Sequence, residues 1–213
     1  LQPSVGAVIL ETIQGEGGVV PASVEYLRGV ERLCREIGAL LIVDEVQTGF
    51  ARTGTWFGYQ SAGISPDIVT MAKGLGNGMP IGAVWAKREV AQVMKPGDHG
   101  STFSGTAIAT AAARAVIATM REIDAPRLAN ERGAELRKGL LEIPNVVAVH
   151  GSGLLLAAEL AAGIDSKKVA GEVLARGLVV NAVTSSRLRL APPLTVSSRE
   201  ISRALEILRG VLA

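Results

Sequence analysis

Short apolar runs recur along this chain with room for one helix between them, and that alternation restricts the fold more than any other feature. Val5–Leu10, Ala39–Val43, Asp67–Ala72 and Ile81–Ala86 are strand-length runs without the polar alternation of a half-exposed strand. Between the first two, Ser23–Ile37 places Tyr26, Leu27, Val30, Leu33 and Ile37 at helical spacing, and Gly38 stops it as a C-cap. Strands alternating with helices in this way predict an α/β fold with a largely parallel sheet. With 48% hydrophobic residues over 213 positions, the chain has material for one sizeable core or two modest ones.

The pattern changes in the second half. An Ala-rich helix is predicted over Thr106–Met120. Asp124-Ala125-Pro126 interrupts it, because Pro cannot continue the hydrogen-bond ladder but can open the next helix. Arg127–Glu142 reads as helix, Val146–His150 and Leu154–Leu160 as short strands, and Ser166–Arg176 as helix. Leu178–Val180 and Arg187–Leu190 read as strands, and Ser197–Leu212 as a last helix capped by Ser197 or Ser198. A domain boundary is expected near Ile123, giving domains 1–122 and 123–213. The chain opens at Leu1 without a methionine and enters an apolar strand almost at once, as expected of a piece of something longer.

Charge and cysteine content narrow the function classes. A net charge of +2 with no basic run argues against a nucleic-acid or acidic-membrane partner. The single cysteine, Cys34, allows no intrachain disulfide and sits in a helical stretch as a small buried hydrophobe. No apolar run reaches the ~18 residues of a membrane span, and no segment has the pattern of a signal peptide. The expectation is a soluble protein of a reducing compartment, the cytoplasm.

Two residues stand where chemistry is done in such folds. Ligands bind outside the carboxyl ends of strands in open α/β sheets. Asp44 ends one apolar strand and is either functional or simply solvated. Lys73 follows another and precedes Gly74-Leu75-Gly76-Asn77-Gly78. It is either a surface lysine or a reactive amine beside glycines that let backbone approach a bulky group. Those glycines miss the dinucleotide spacing. Together the two suit pyridoxal-5′-phosphate (PLP), which needs a lysine amine to carry it and an acid to keep its ring nitrogen protonated. His99 and His150 are isolated, with no metal-ligand spacing. Glu11 and Glu45 read as capping or pairing residues, and Trp56 and Trp85 as packing.

Six blocks in order along the chain resemble the class III, ornithine-type aminotransferases. They are Glu11–Gly18, Asp44–Gly49 with Arg52–Gly54, Pro66-Asp67, Met71–Gly76, Gly100–Phe103 and Arg189–Pro193. The resemblance implies PLP fold type I, with residues 1–122 the C-terminal part of a large domain holding a seven-stranded mixed sheet. Residues 123–213 would then be the small C-terminal α+β domain. It implies a homodimer with shared active sites. Lys73 would hold PLP covalently, Asp44 its ring nitrogen and Gln47 the region of its 3′-oxygen, while Val46 would pack on the ring face. Ser101 and Thr102 would reach the phosphate of the neighbouring subunit's cofactor. Arg189 would bind a substrate carboxylate, and Glu16 would face that arginine.

Asn181-Ala182 and His99–Thr102 favour N2-acetyl-L-ornithine as amino donor to 2-oxoglutarate. Ornithine, GABA or succinylornithine are alternative donors, and an aminomutase or decarboxylase on the same scaffold is a further alternative. Two departures bear on the site. Thr12 stands where the family has Pro after Glu, and Ser104–Ala107 stands where it has Gly-Gly-Asn-Pro. The family's phosphate loop, ring-stacking aromatic residue and second substrate arginine would precede Leu1.

Overall fold

The computed structural model describes Gln2 and residues 4–213. Leu1 and Pro3, which open the expected 1–122 domain, lie outside the described residues. In chain order the elements are β1 (Ala7–Leu10), β2 (Ile13–Gln14), β3 (Val20–Pro21), α1 (Val24–Ile37), β4 (Leu40–Asp44), α2 (Tyr59–Ala62), β5 (Ile68–Met71), β6 (Ala83–Ala86), α3 (Arg88–Ala91) and α4 (Ala107–Glu122). Then follow α5 (Ala125–Leu141), β7 (Val146–Ser152), β8 (Leu155–Leu160), α6 (Ser166–Ala175), β9 (Asn181–Ala182), β10 (Arg187–Leu190) and α7 (Ser198–Leu212). The chain contacts form two compact units. Of the described residues, one holds Gln2, 4–12, 22–50 and 57–124, the other 13–21, 51–56 and 125–213.

The first unit is built on a four-stranded mixed sheet in the order β1-β4-β5-β6. β1, β4 and β5 run parallel, and β6 returns antiparallel to β5. Helix α1 starts where Ser23 accepts the Tyr26 N–H and ends at Gly38, which takes the left-handed conformation (φ 72°) that glycine adopts freely. Its Leu27 and Cys34 pack with Leu41, Val43, Ala62 and Ile64. Cys34 is buried as expected, and burial pushes its thiol pKa up.

Two expectations in this unit are corrected. Val5–Leu10 reads as a fully buried strand, but among the described residues β1 pairs with β4 alone at the edge of the sheet, and Ile9 is 63% exposed. Only Val8 and Leu10 point to the α1 side and pack there. Trp85, expected as packing, is half exposed because β6 forms the other edge.

The second unit is a four-stranded antiparallel sheet in the order β7-β8-β10-β9. Its inward alternation is strict. Leu154, Leu156, Ala158 and Leu160 pack with Leu188 and Leu190 beneath Leu136 and Leu140 of α5, Val173 of α6, and Ile201 and Leu208 of α7. Pro126 falls in the first turn of α5, where a missing N–H costs nothing. Ser197 and Glu200 form a reciprocal capping box at the start of α7.

The strand expected at Leu178–Val180 does not form; the pairing strand is β9, beside Leu188 and Arg189. Leu178 donates its N–H to Val173 O (2.9 Å) and Gly177 donates to Leu174 O (2.9 Å), so this backbone closes the end of α6 instead of joining the sheet. No described helix is long and apolar enough to cross a membrane.

Candidate active site

In the first unit, Asp44 and Lys73 sit at the carboxyl ends of adjacent parallel strands. Asp44 closes β4 in register with Thr70 of β5. Lys73 follows two residues after β5 and opens a single 3-10 turn, Lys73–Leu75. The apolar runs set this placement, because burying Leu41, Val43 and Val69 leaves the first polar residue at each strand end outside the core.

Lys73 is exposed and has φ 42°, a conformation that costs a residue with a Cβ about 1–2 kcal/mol. The turn locks it there: Lys73 O accepts the N–H groups of Gly76 (3.1 Å) and Asn77 (3.2 Å). Gly76 is required by the turn itself, since a Cβ there would lie 2.2 Å from Met79 O. Val19, Phe50, Ala51, Asn77, Asp124 and Asn145 also have positive φ, so what distinguishes Lys73 is the exposed amine at a strand end rather than the strain alone.

Asp44 is half buried. Its Oδ1 accepts the Val46 N–H at 2.9 Å, and among the described residues its Oδ2 has no hydrogen-bond partner. Beside it, the Thr70 hydroxyl is buried with no partner among the described residues. An orphaned buried hydroxyl next to a half-used carboxylate suits a site made to receive a polar group from outside the polypeptide. Thr70 was not singled out from sequence, although a lone polar residue inside the apolar run Ile68–Met71 is the signal that marks it.

The loop after Asp44 is held by Glu45, which is fully buried. Its carboxylate accepts Thr48 Oγ1 (2.6 Å), Gly58 N–H (2.9 Å) and Tyr59 N–H (2.9 Å). Burial pushes its pKa up, against the opposing pull of these donors. Glu45 therefore fixes the segment that presents Asp44, Val46 and Gln47, the last two half buried. Ser101 and Thr102 lie exposed in the turn-rich stretch between α3 and α4, and no described residue makes a side-chain hydrogen bond to either.

The second unit brings Glu16 and Arg189 together across 173 residues of chain. Arg189 Nη1 lies 2.7 Å from Glu16 Oε1, with 16% of the arginine side chain and 71% of the glutamate side chain exposed. Strand β10 carries the arginine, and the Gly-rich tip between β2 and β3 carries the glutamate. Arg52, in the same unit, is a structural clamp. Its guanidinium donates to Leu154 O (3.2 Å) and Pro192 O (2.6 Å), and burial pushes its pKa down. Among the described residues no cluster of His, Cys, Asp or Glu could hold a metal ion.

An aminotransferase class-III family model matches residues 1–212, and the chain belongs to that family. It is 46% identical to the acetylornithine aminotransferase of Listeria innocua, over 100% of this chain and 56% of that protein. It is 43% identical to that of Bacillus subtilis, over 98% of this chain and 54% of that protein. The chain thus spans about half the length of the curated relatives it matches. An ornithine aminotransferase from Toxoplasma gondii, with partial PLP occupancy at its active site, superposes with a TM-score of 0.91 at 34% identity. That match covers 99% of this chain and 51% of the other. An N-acetylornithine aminotransferase from Stenotrophomonas maltophilia gives 0.90 at 33%, over 99% and 57%.

Proposed function

We propose that this chain serves a PLP-dependent transfer of an amino group from N2-acetyl-L-ornithine to 2-oxoglutarate. The observation that carries the reading is the pair of adjacent strand ends bearing Asp44 and Lys73, with Lys73 held in a strained turn. The donor is assigned from the relatives' names and from Asn181-Ala182 and His99–Thr102. Residues 1–122 are assigned to the large domain and 123–213 to the small one. Within that division, Ile13–Pro21 and Ala51–Trp56 fold with the second unit.

When bound, PLP supplies an electron sink for the carbon that loses its proton. The residues present suit it: a free amine on an exposed turn, a carboxylate with one oxygen unused, and an orphaned hydroxyl beside it. In this reading Lys73 Nζ holds the cofactor, and later takes the proton from the amine-bearing carbon and returns it. Asp44 holds the proton on the ring nitrogen. Val46 would pack on the ring face and Gln47 would lie by the 3′-oxygen. Ser101 and Thr102 serve the phosphate of a neighbouring copy in a homodimer with shared sites. A cytoplasmic location belongs to the same reading.

Arg189 and Glu16 divide the two half-reactions. The donor brings its amine at the end of its side chain, and an open arginine there would be an unpaired, desolvated charge. Glu16 pairs with Arg189 in that half. It yields when glutamate or 2-oxoglutarate offers its own carboxylate, which the guanidinium binds in a fork.

The test is single-turnover spectroscopy of each half-reaction in the intact protein. Glu16→Ala should slow the acetylornithine half and spare or improve the glutamate half, and Arg189→Ala should cripple the glutamate half. Equal losses in both halves for both variants rule out the gate. Faster turnover of ornithine or GABA than of acetylornithine reassigns the donor.

A further inference from the structure

The outer face of the second unit's sheet carries a charged chain that reaches the tip bearing Glu16. Because Leu156, Ala158, Leu160, Leu188 and Leu190 point into the helix-covered core, Leu155, Ala157, Glu159, Arg187 and Arg189 point the other way. The β2–β3 hairpin covers part of that face, with Ile13 and Val19 packed on Leu155 and Ala157. Arg187 and Glu159 are direct cross-strand partners, and His150 of β7 lies across from Ala157.

The contacts run in series. Glu159 Oε2 lies 2.5 Å from His150 Nε2 and 2.9 Å from an Arg187 guanidinium nitrogen. The other terminal nitrogen of Arg187 donates to Gly18 O at 3.2 Å. Gly18 sits at the hairpin tip at φ 108°, where a Cβ would lie 3.0 Å from Thr184 Cγ2 and in ordinary contact, 3.5 Å, with Arg187 Cδ. The two arginines of β10, on one face, thus hold two points of the same tip: Arg187 the Gly18 carbonyl and Arg189 the Glu16 carboxylate.

We infer that Arg187, oriented by Glu159, is a positioning residue that sets how strongly Glu16 competes for Arg189. The tip contains Gly15, Gly17 and Gly18, and ordering such a segment is entropically costly. An ion pair with a largely exposed glutamate is too weak by itself to hold it. Ile13 and Val19 anchor the base of the hairpin, and the Arg187–Gly18 bond removes part of the remaining cost at the tip before Glu16 pairs. Glu159 makes the bond selective, because a guanidinium already bound on one edge presents its other edge in a fixed direction. His150 shares the same carboxylate oxygen and steadies it. This inference rests on the carboxylate gate proposed above.

The experiment measures calorimetric binding of glutarate, a dicarboxylate with no amine or keto group to react, to the intact protein with its cofactor. Glu16→Gln should tighten glutarate by about tenfold or more, as expected for freeing a charged hydrogen-bonding group. Arg187→Leu should tighten it about three- to tenfold, the size of one lost hydrogen bond. The double variant should bind no more tightly than Glu16→Gln alone. Glu159→Gln, which leaves a weaker acceptor for Arg187, should act in the same direction by less, and it carries the test if Arg187→Leu does not fold.

Unchanged glutarate affinity in Arg187→Leu, or additive gains in the double variant, overturns the positioning role while the gate stands. No effect of Glu16→Gln overturns the gate itself, and this inference with it. A merely structural role for Arg187 would lower the melting temperature without tightening glutarate.

Discussion

The two units place their reactive groups in opposite ways. The first puts Lys73 on a strained turn just past a strand end, exposed and at positive φ. The second puts Arg189 mid-strand on a sheet face, mostly covered and already paired with Glu16. A group at a strand end is positioned by backbone and stays free to react. A group on a strand face is positioned by neighbouring side chains and can only exchange partners. Covalent and proton-transfer chemistry suits the first arrangement, and selection between carboxylates suits the second.

The sharpest way to break that contrast is Lys73→Gly. Glycine tolerates φ 42°, so the variant should unfold about 1 kcal/mol less readily, as relief of a left-handed residue predicts. Its turnover should fall by about a thousandfold or more, because the amine proposed to transfer the proton is gone. Paired denaturant melts and assays of the intact protein check both halves. A variant that loses stability along with activity would show that the turn, not the amine, was being tested.

Next in size is the second unit's core. Leu156 is 1% exposed and packs in the cluster that joins β8 and β10 to the helices. Leu156→Ala should cost about 2–5 kcal/mol in unfolding free energy, by lost transfer energy and the cavity left behind. Val179→Ala, at an 82% exposed position of the same unit, should stay within about 0.5 kcal/mol. Similar losses at both would mean the sheet face is not where the unit's stability lies.

A smaller effect is expected at the start of α7. Ser197 accepts the Glu200 N–H while Glu200 accepts the Ser197 N–H at 2.8 Å. Ser197→Ala should destabilise by about 1 kcal/mol, read as a drop in denaturation midpoint without a change in slope.

Elements with their own local signal were legible from sequence. The stop of α1 at Gly38, the Ser197 cap of α7 and the strand Arg187–Leu190 follow from spacing and end residues, and the structure has them where expected; the Ser23 cap of α1 and the role of Glu200 in a capping box are additions of the structure. What failed needed knowledge of neighbours. β1 reads as buried because apolar runs do not say which of their faces is covered. Leu178–Val180 reads as strand because nothing local shows that its N–H groups close α6. In the candidate site, strand ends place Asp44 and Lys73 but leave each open to a solvated reading; the two together, with the glycines after Lys73, carry the cofactor reading. By contrast, the proximity of Glu16 and Arg189 rested on family resemblance, since no pattern links residues so far apart. Thr70 has a local signal, a lone polar residue in an apolar run, but its pairing with Asp44 and the role of Arg187 lie in what sits across the strand.

The smallest effect concerns Asp67, and it tests whether the first unit also uses charge to hold backbone. Asp67 accepts the Leu41 N–H at 2.8 Å and pairs with Lys87 at 2.8 Å, tying the starts of β4 and β5 to the end of β6. Burial alone would raise its pKa, but the Leu41 N–H and the Lys87 ammonium outweigh that and hold it below the usual 3.8. A carboxylate depressed in the folded state adds stability above its unfolded pKa and loses it as pH falls through the folded value. The contribution should therefore be constant from neutral pH down to about pH 5 and fade below about pH 4. Because the pair is partly open to solvent, its size should stay under about 1 kcal/mol. Melting curves of wild type and Asp67→Asn should differ by that amount at pH 7 and converge towards pH 3. Curves that coincide across the whole range would mean that Asp67 acts through hydrogen-bond geometry, which the asparagine amide keeps, and not through charge.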